Sequence, residues 1–242
     1  MKRIITFVMT VTVLAATVQV PARAQTAEDV VNKMIEVSGG RKALAKIKDT
    51  TYIGTVDIAQ YGVSGSFTMY QKEPNKLRMD IEVEGMLITQ AFDGQKGWYT
   101  DPQSQSTVEM PEAVSKDFAR QAQGNDYLLN PEKHGITYSL KPKETVDGID
   151  CIVLEQKNDD GHISVIYLNS STYLPYKTMT KTLNLFGAQA EVETFPSDYK
   201  KVGDIVIAHS LRTLQDGVEA MRLTFSEVNF NTGLEDAIFQ MK

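Results

Sequence analysis

From Thr50 onward the chain alternates apolar and polar residues with a period of two, and NKLRMDIEVEG, residues 75–85, is the cleanest stretch. Leu77, Met79, Ile81 and Val83 fall on one face; Lys76, Arg78, Asp80, Glu82 and Glu84 fall on the other. Successive strand side chains point to opposite sides, so this pattern dictates a strand with one dry and one wet face. Similar runs are TYIGTVDIAQY, VSGSFTMYQ, MLITQAF, ITYSLKP, IDCIVLEQ, ISVIYLN, YKTMTKTLNLF, QAEVETF, DIVIAHSLRTLQ and AMRLTFSEVNF. Asp-Gly pairs at 93–94, 147–148, 160–161 and 216–217 lie between or at the edges of these runs, as hairpin turns require. The expectation is a mainly β protein: an antiparallel meander of about eleven strands. A sheet that long tends to curl or close, and its consistently apolar face calls for a strongly curved sheet whose concave side is covered by the few helices the chain supplies.

Two segments have helical rather than strand periodicity. Thr26 followed by Asp29 reads as a capping box opening an N-terminal helix with Val30, Val31, Met34 and Ile35 on one stripe, stopped by Gly39-Gly40. RKALAKIK then continues for one or two turns, with Ala43, Leu44 and Ile47 facing inward. The second segment, residues 111–131, interrupts the strands. Pro111 suits a first helical position, Gly124 a stop, Val114 and Phe118 share a face, and Leu128 and Leu129 follow in a short turn before Pro131. Its modest apolar content between breakers suits a mobile lid over the concavity.

The first residues read as an export signal. Lys2 and Arg3 precede an apolar run from Ile4 to Val18, and Ala22-Arg23-Ala24 offers a small-x-small cleavage site. Residues 1–24 are thus expected to be removed on export, leaving 25–242 as one soluble domain without stable membrane insertion. The leader holds three basic residues and no acid, so net charge falls from −6 for the whole chain to −9 for the remainder. That balance argues against nucleic acid, whose phosphates need clustered Lys and Arg. Cys151 is the single cysteine, so no internal disulfide forms, and its place in CIVLEQ suits a buried, inert thiol.

Signals for catalysis are weak. His134, His162 and His209 stand far apart, none with a ligand partner at metal-binding spacing, and there is no nucleophile elbow or glycine-rich phosphate loop. His209 shares a strand face with Ile205, Ile207 and Leu211, where a hydrogen-bonded interior histidine is the default. No catalytic residue, metal ligand or cofactor is therefore expected. Phe92 and Trp98 bracket Asp93-Gly94, and the plain reading is an aromatic pair packing a hairpin end.

Several short motifs, taken in order, carry a family likeness: the leader, the helix ending in Gly-Gly with RKALAKIK, Lys72-Glu73-Pro74-Asn75-Lys76-Leu77-Arg78, Phe92-Asp93-Gly94 with Gly97-Trp98, the helical insert, and Val228-Asn229-Phe230-Asn231 with Phe239 near the end. Together they resemble the LolA-like family of periplasmic outer-membrane lipoprotein carriers and sorting proteins, over essentially the whole chain after the leader. The resemblance implies a half-open antiparallel β-barrel of about eleven strands with an N-terminal helix and a helical lid on the concave face, whose apolar cavity holds an acylated lipoprotein or lipid ligand, with transfer partners at the inner and outer membranes. It also moves Trp98 from hairpin plug to cavity mouth. Leu77, Met79, Ile81, Val83, Met86, Ile88, Phe92, Trp98, Phe118, Leu128 and Leu129 are then the candidate ligand-binding residues. The founding carriers bond their lid through an arginine at the mouth, but Arg78 has the phase of the wet face and does not inherit that role. The alternative within the same fold is an envelope regulator or sensor that binds a protein partner.

Overall fold

The computed structural model describes residues 24–101, 103–183 and 187–241. The leader read over residues 1–24 therefore lies outside the described residues up to its last one, Ala24. Two helices, α1 (Ala27–Val37) and α2 (Arg41–Leu44), open the described chain. Thr26 caps α1: its hydroxyl accepts from the Asp29 N–H, while the Asp29 carboxylate accepts from the Thr26 N–H at 2.9 Å. Six strands follow, β1 (Asp49–Ile58), β2 (Val63–Lys72), β3 (Lys76–Val83), β4 (Met86–Phe92), β5 (Gly97–Thr100) and β6 (Thr107–Glu109). The insert forms α3 (Glu112–Gln121), α4 (Asn125–Leu129) and one 3-10 turn, Pro131–His134. Seven more strands complete the fold: β7 (Thr137–Val146), β8 (Ile149–Lys157), β9 (Ile163–Asn169), β10 (Pro175–Leu183), β11 (Gln189–Val202), β12 (Ile205–Gln215) and β13 (Val218–Phe230).

All thirteen described strands form one antiparallel sheet in the order β6-β5-β4-β3-β2-β1-β13-β12-β11-β10-β9-β8-β7. The first and last long strands meet at its centre, where Tyr52 of β1 pairs with Val228 of β13. The sheet stays open, with β6 and β7 as its edges. Eleven strands were expected; the additional two are β5 and β6, of four and three residues, too short to display a period.

The helices prove that the sheet is curled. Helix α3 contacts β4, β5 and β10, although β4 and β10 are seven strand spacings apart in the sheet order. On a flat sheet that would be about 34 Å, far beyond the width of one helix. Helices and apolar rows share the concave side. At one flank Val30, Val31, Met34 and Ile35 of α1 pack on Ile152, Leu154, Leu168 and Ile205. At the other, Val114, Phe118 and Ala122 pack on Leu77, Phe92 and Met110. Each well-buried side chain of this size contributes about 1.5–3 kcal/mol, so both helices are held mainly by their apolar faces.

The convex face is covered over β1–β5 by the chain that follows β13. Asp49 accepts from the N–H groups of Thr232 (2.7 Å) and Gly233 (3.1 Å). Lys72 and Lys76 reach Asp236 at 2.7 and 2.9 Å, and Phe239 is fully buried.

Candidate ligand-binding site

The inner face is built by register. Leu77 pairs with Phe92 and Gln71, Met79 with Met69 and Gln90, Ile81 with Phe67 and Ile88, and Val83 with Met86. The row continues through Tyr52, Val56 and Ile58 of β1, across β13 at Leu223 and Phe225, and on to Leu211 of β12. Leu77, Met79, Ile81, Val83, Ile88 and Phe92 therefore share one face. Their burial is graded: Leu77, Phe92 and Val83 are buried, while Met79, Ile81 and Ile88 remain half-exposed. Met86 lies at a hairpin tip and is exposed, as is Leu87. Sequence reasoning overlooked the central wall, Tyr52, Phe67, Met69, Leu211 and Met221, although the alternation Val63, Phe67, Met69 was a usable signal.

The insert occupies two places rather than one. Phe118 packs on Leu77 and Phe92, but Leu129 is buried, and Leu128 half-buried, in the α1 cluster at the opposite flank. Leu128 and Leu129 thus do not sit with Phe118. Beside them, α1, α4, the 3-10 turn and the start of β7 enclose a cleft of about 570 Å³ lined by Val31, Leu128, Ile136 and Tyr138, with Glu28 and Lys133 among its polar residues.

Helix α3 is tied on both sides. Ser115 Oγ accepts from the Gly97 N–H of β5 at 2.8 Å. The buried Asp117 carboxylate accepts from the Thr182 hydroxyl and the Leu183 N–H of β10, and from Arg120. Arg120 also meets Asp160 at 2.5 Å in the turn before β9. Burial, reinforced by the Arg120 guanidinium, holds the nearby His162 imidazole below its ordinary range. Helix α4 is capped from outside the insert, because Glu73 accepts from the N–H groups of Asn125 (2.6 Å) and Asp126 (3.2 Å). Burial raises the Glu73 carboxyl, and those two bonds oppose the rise. A Cβ at Gly124 would lie 2.4 Å from that carboxylate, so Gly124 allows the close approach rather than ending α3.

Trp98 is elsewhere, which corrects its expected place at the cavity mouth. It pairs with Ala91, and Ala91 with Arg78, a row opposite in phase to Leu77, Phe92 and Gly97. Its ring is buried on the convex side, beneath the Arg78 guanidinium at 5.9 Å and the segment that ends the chain. Nor does it pair with Phe92, which faces the concavity. Arg78 does have the outer phase; there it donates to the Ile238 carbonyl at 2.9 Å and to Asp80.

The three histidines have local partners: His134 stacks on Tyr127 and meets Asp126 at 2.8 Å, His162 bonds Thr180, and His209 is buried with Nδ1 3.1 Å from the Ile207 carbonyl. Among the described residues no group of three His, Cys, Asp or Glu side chains could hold a metal, and no helix is long and apolar enough to cross a membrane. What the site offers chemically is apolar surface, partly covered.

This arrangement, an open curled antiparallel sheet with helices on its concave side, is the LolA-like fold. A LolA superfamily protein from Nitrosomonas europaea superposes with a TM-score of 0.59 at 14% identity, over 90% of this chain and 98% of the other. A DUF1329 family protein from Desulfovibrio piger gives 0.59 at 16% identity, over 88% and 97%. A putative outer membrane lipoprotein-sorting protein domain from Vibrio parahaemolyticus gives 0.57 at 18% identity, over 87% and 97%. At the level of sequence, no family model and no curated protein matches the chain.

Proposed function

We propose that this protein is a non-enzymatic periplasmic carrier that shields the acyl chains of a lipoprotein, or of another lipid ligand, against its inner sheet face. The observation that carries the proposal is the unevenly covered concavity. The helices bury the two flanks, while Met69, Met79, Ile81, Leu211 and Met221 between them keep part of their apolar surface open. Such surface is costly to leave in water, and each methylene transferred onto it gains about 0.8 kcal/mol. Methionine suits the task, since its unbranched thioether adapts to chains of different shape. The lipoprotein-sorting name of one structural neighbour and the leader over residues 1–24 support this cargo and compartment, and delivery would require partners at the inner and outer membranes.

Native mass spectrometry of protein purified from periplasm tests the proposal. Retention of an acylated species is the expected result. A mass without lipid, together with a stable protein partner, would transfer support to the envelope-regulator alternative.

A further inference from the structure

Of the seven large apolar side chains that stand exposed among the described residues, four, Tyr61, Met86, Leu87 and Val218, sit at the tips of three hairpins. The hairpins are neighbours at one end of the sheet. β3–β4 adjoins β1–β2, β1 adjoins β13, and the pairings Ile58 with Val63, Ile58 with Met221 and Val83 with Met86 put all three turns on the same rim. Immediately inside that rim lie Ile58, Val63, Ile81 and Met221, all half-buried on the concave face. Helices α1 and α3 pack on the flanks instead, and α3 is bonded to β5 through Ser115 and to β10 through Asp117.

We infer that ligand enters end-on across this apolar lip, with α3 acting as a fixed brace, and that the lip selects an alkyl chain whose polar head carries no net negative charge. The inference rests on the carrier function and adds the route and the class of headgroup. Charge supplies the selection. The turns themselves carry Glu84 and Asp216 and no basic residue. Arg212 and Arg222 on the adjoining strands share the single carboxylate of Glu219, at 3.8 and 3.0 Å, and their remaining positive charge is offset by Asp57, the register partner of Arg222. A headgroup left at the lip while its chain lies inside would therefore face Glu84 and Asp216, which form no ion pair among the described residues although Asp216 accepts from the Glu191 N–H. These carboxylates attract a cationic or zwitterionic group and repel an anionic one.

The experiment uses the full chain after its leader and the neutral dye 1-N-phenylnaphthylamine, displaced by hexadecyltrimethylammonium or by palmitate below their micellar limits. At low salt the ammonium should displace dye at a roughly tenfold lower concentration, and the gap should narrow at high salt, where surface charge is screened. Glu84→Lys with Asp216→Lys should reverse the order. Met86→Asp with Val218→Asp, both at exposed positions, should slow dye uptake several-fold without changing the melting temperature. Asp117→Asn, if it folds, should speed amide exchange in residues 112–121 and leave the uptake rate unchanged. Equal displacement by both amphiphiles, or no reversal in the lysine variant, overturns the headgroup selection. Uptake accelerated by Asp117→Asn and indifferent to Met86→Asp with Val218→Asp overturns the route. A wild-type protein that takes up no dye defeats the carrier function itself, and this inference with it.

Discussion

The indole Nε1 of Trp98 donates a 2.7 Å hydrogen bond to the carbonyl oxygen of Phe239, joining the short strand β5 to the end of the chain across the convex face. Both residues are buried there. Replacing Trp98 with Phe keeps most of the ring but leaves a buried carbonyl without its donor, and should cost about 1–3 kcal/mol in urea unfolding. Because the ring lies on the face opposite Leu77 and Phe92, its fluorescence should stay constant when an apolar ligand binds. Removal of residues 235–242 should shift the emission to the red. A ligand-induced shift in the intact protein would place the site on the convex side.

Met79 lies between Met69 and Gln90 on the inner face. An aspartate there puts a carboxylate against apolar neighbours, with an expected loss of about 1–3 kcal/mol and of apolar dye uptake. Met79→Leu, which conserves volume, should stay within about 1.5 kcal/mol and retain uptake. Thermal melts and dye titrations of both variants distinguish lost apolarity from lost fold.

Asp117 spans the concavity by accepting from Leu183 and Thr182. Asparagine removes the charge shared with Arg120 and one acceptor oxygen, so the variant should lose about 1–3 kcal/mol. Thr182→Val removes a single donor and should cost about 1 kcal/mol. A double-mutant cycle measures the coupling, and additive losses would mean that the two residues act independently.

Burial on the inner face pushes the Tyr52 hydroxyl up from 10 to about 12. An unfolded chain loses that proton first, so the stabilisation is complete below pH 10 and declines as pH rises from 10 towards 12. Tyr52→Phe should flatten the decline. Denaturation midpoints measured across that window, alongside tyrosinate absorbance, give the comparison.

How much of this was legible in the sequence depended on segment length. The runs at β3, β8 and β12 are long enough to show their period, and the capping box at Thr26 and Asp29 is a local signal that fixed the start of α1. β5 and β6 were hidden because three or four residues display no period, and with them went the phase of Trp98. Gly124 was read as a helix stop because the carboxylate it makes room for, Glu73, lies 51 residues earlier in the chain.

By itself the sequence determined a β-rich chain with one apolar sheet face, its main strands and its two helical segments, since each is encoded by neighbouring residues. Only the tertiary structure decided which parts of that face remain open. Coverage depends on where α1 and α3 come to rest on strands far away in the chain, and on curling that brings β10 to the helix packed on β4. Likewise, alternation assigned Arg78 to the outer face, but only the fold could cover it with Ile238, because the wetness of a face is set by what later chain crosses it.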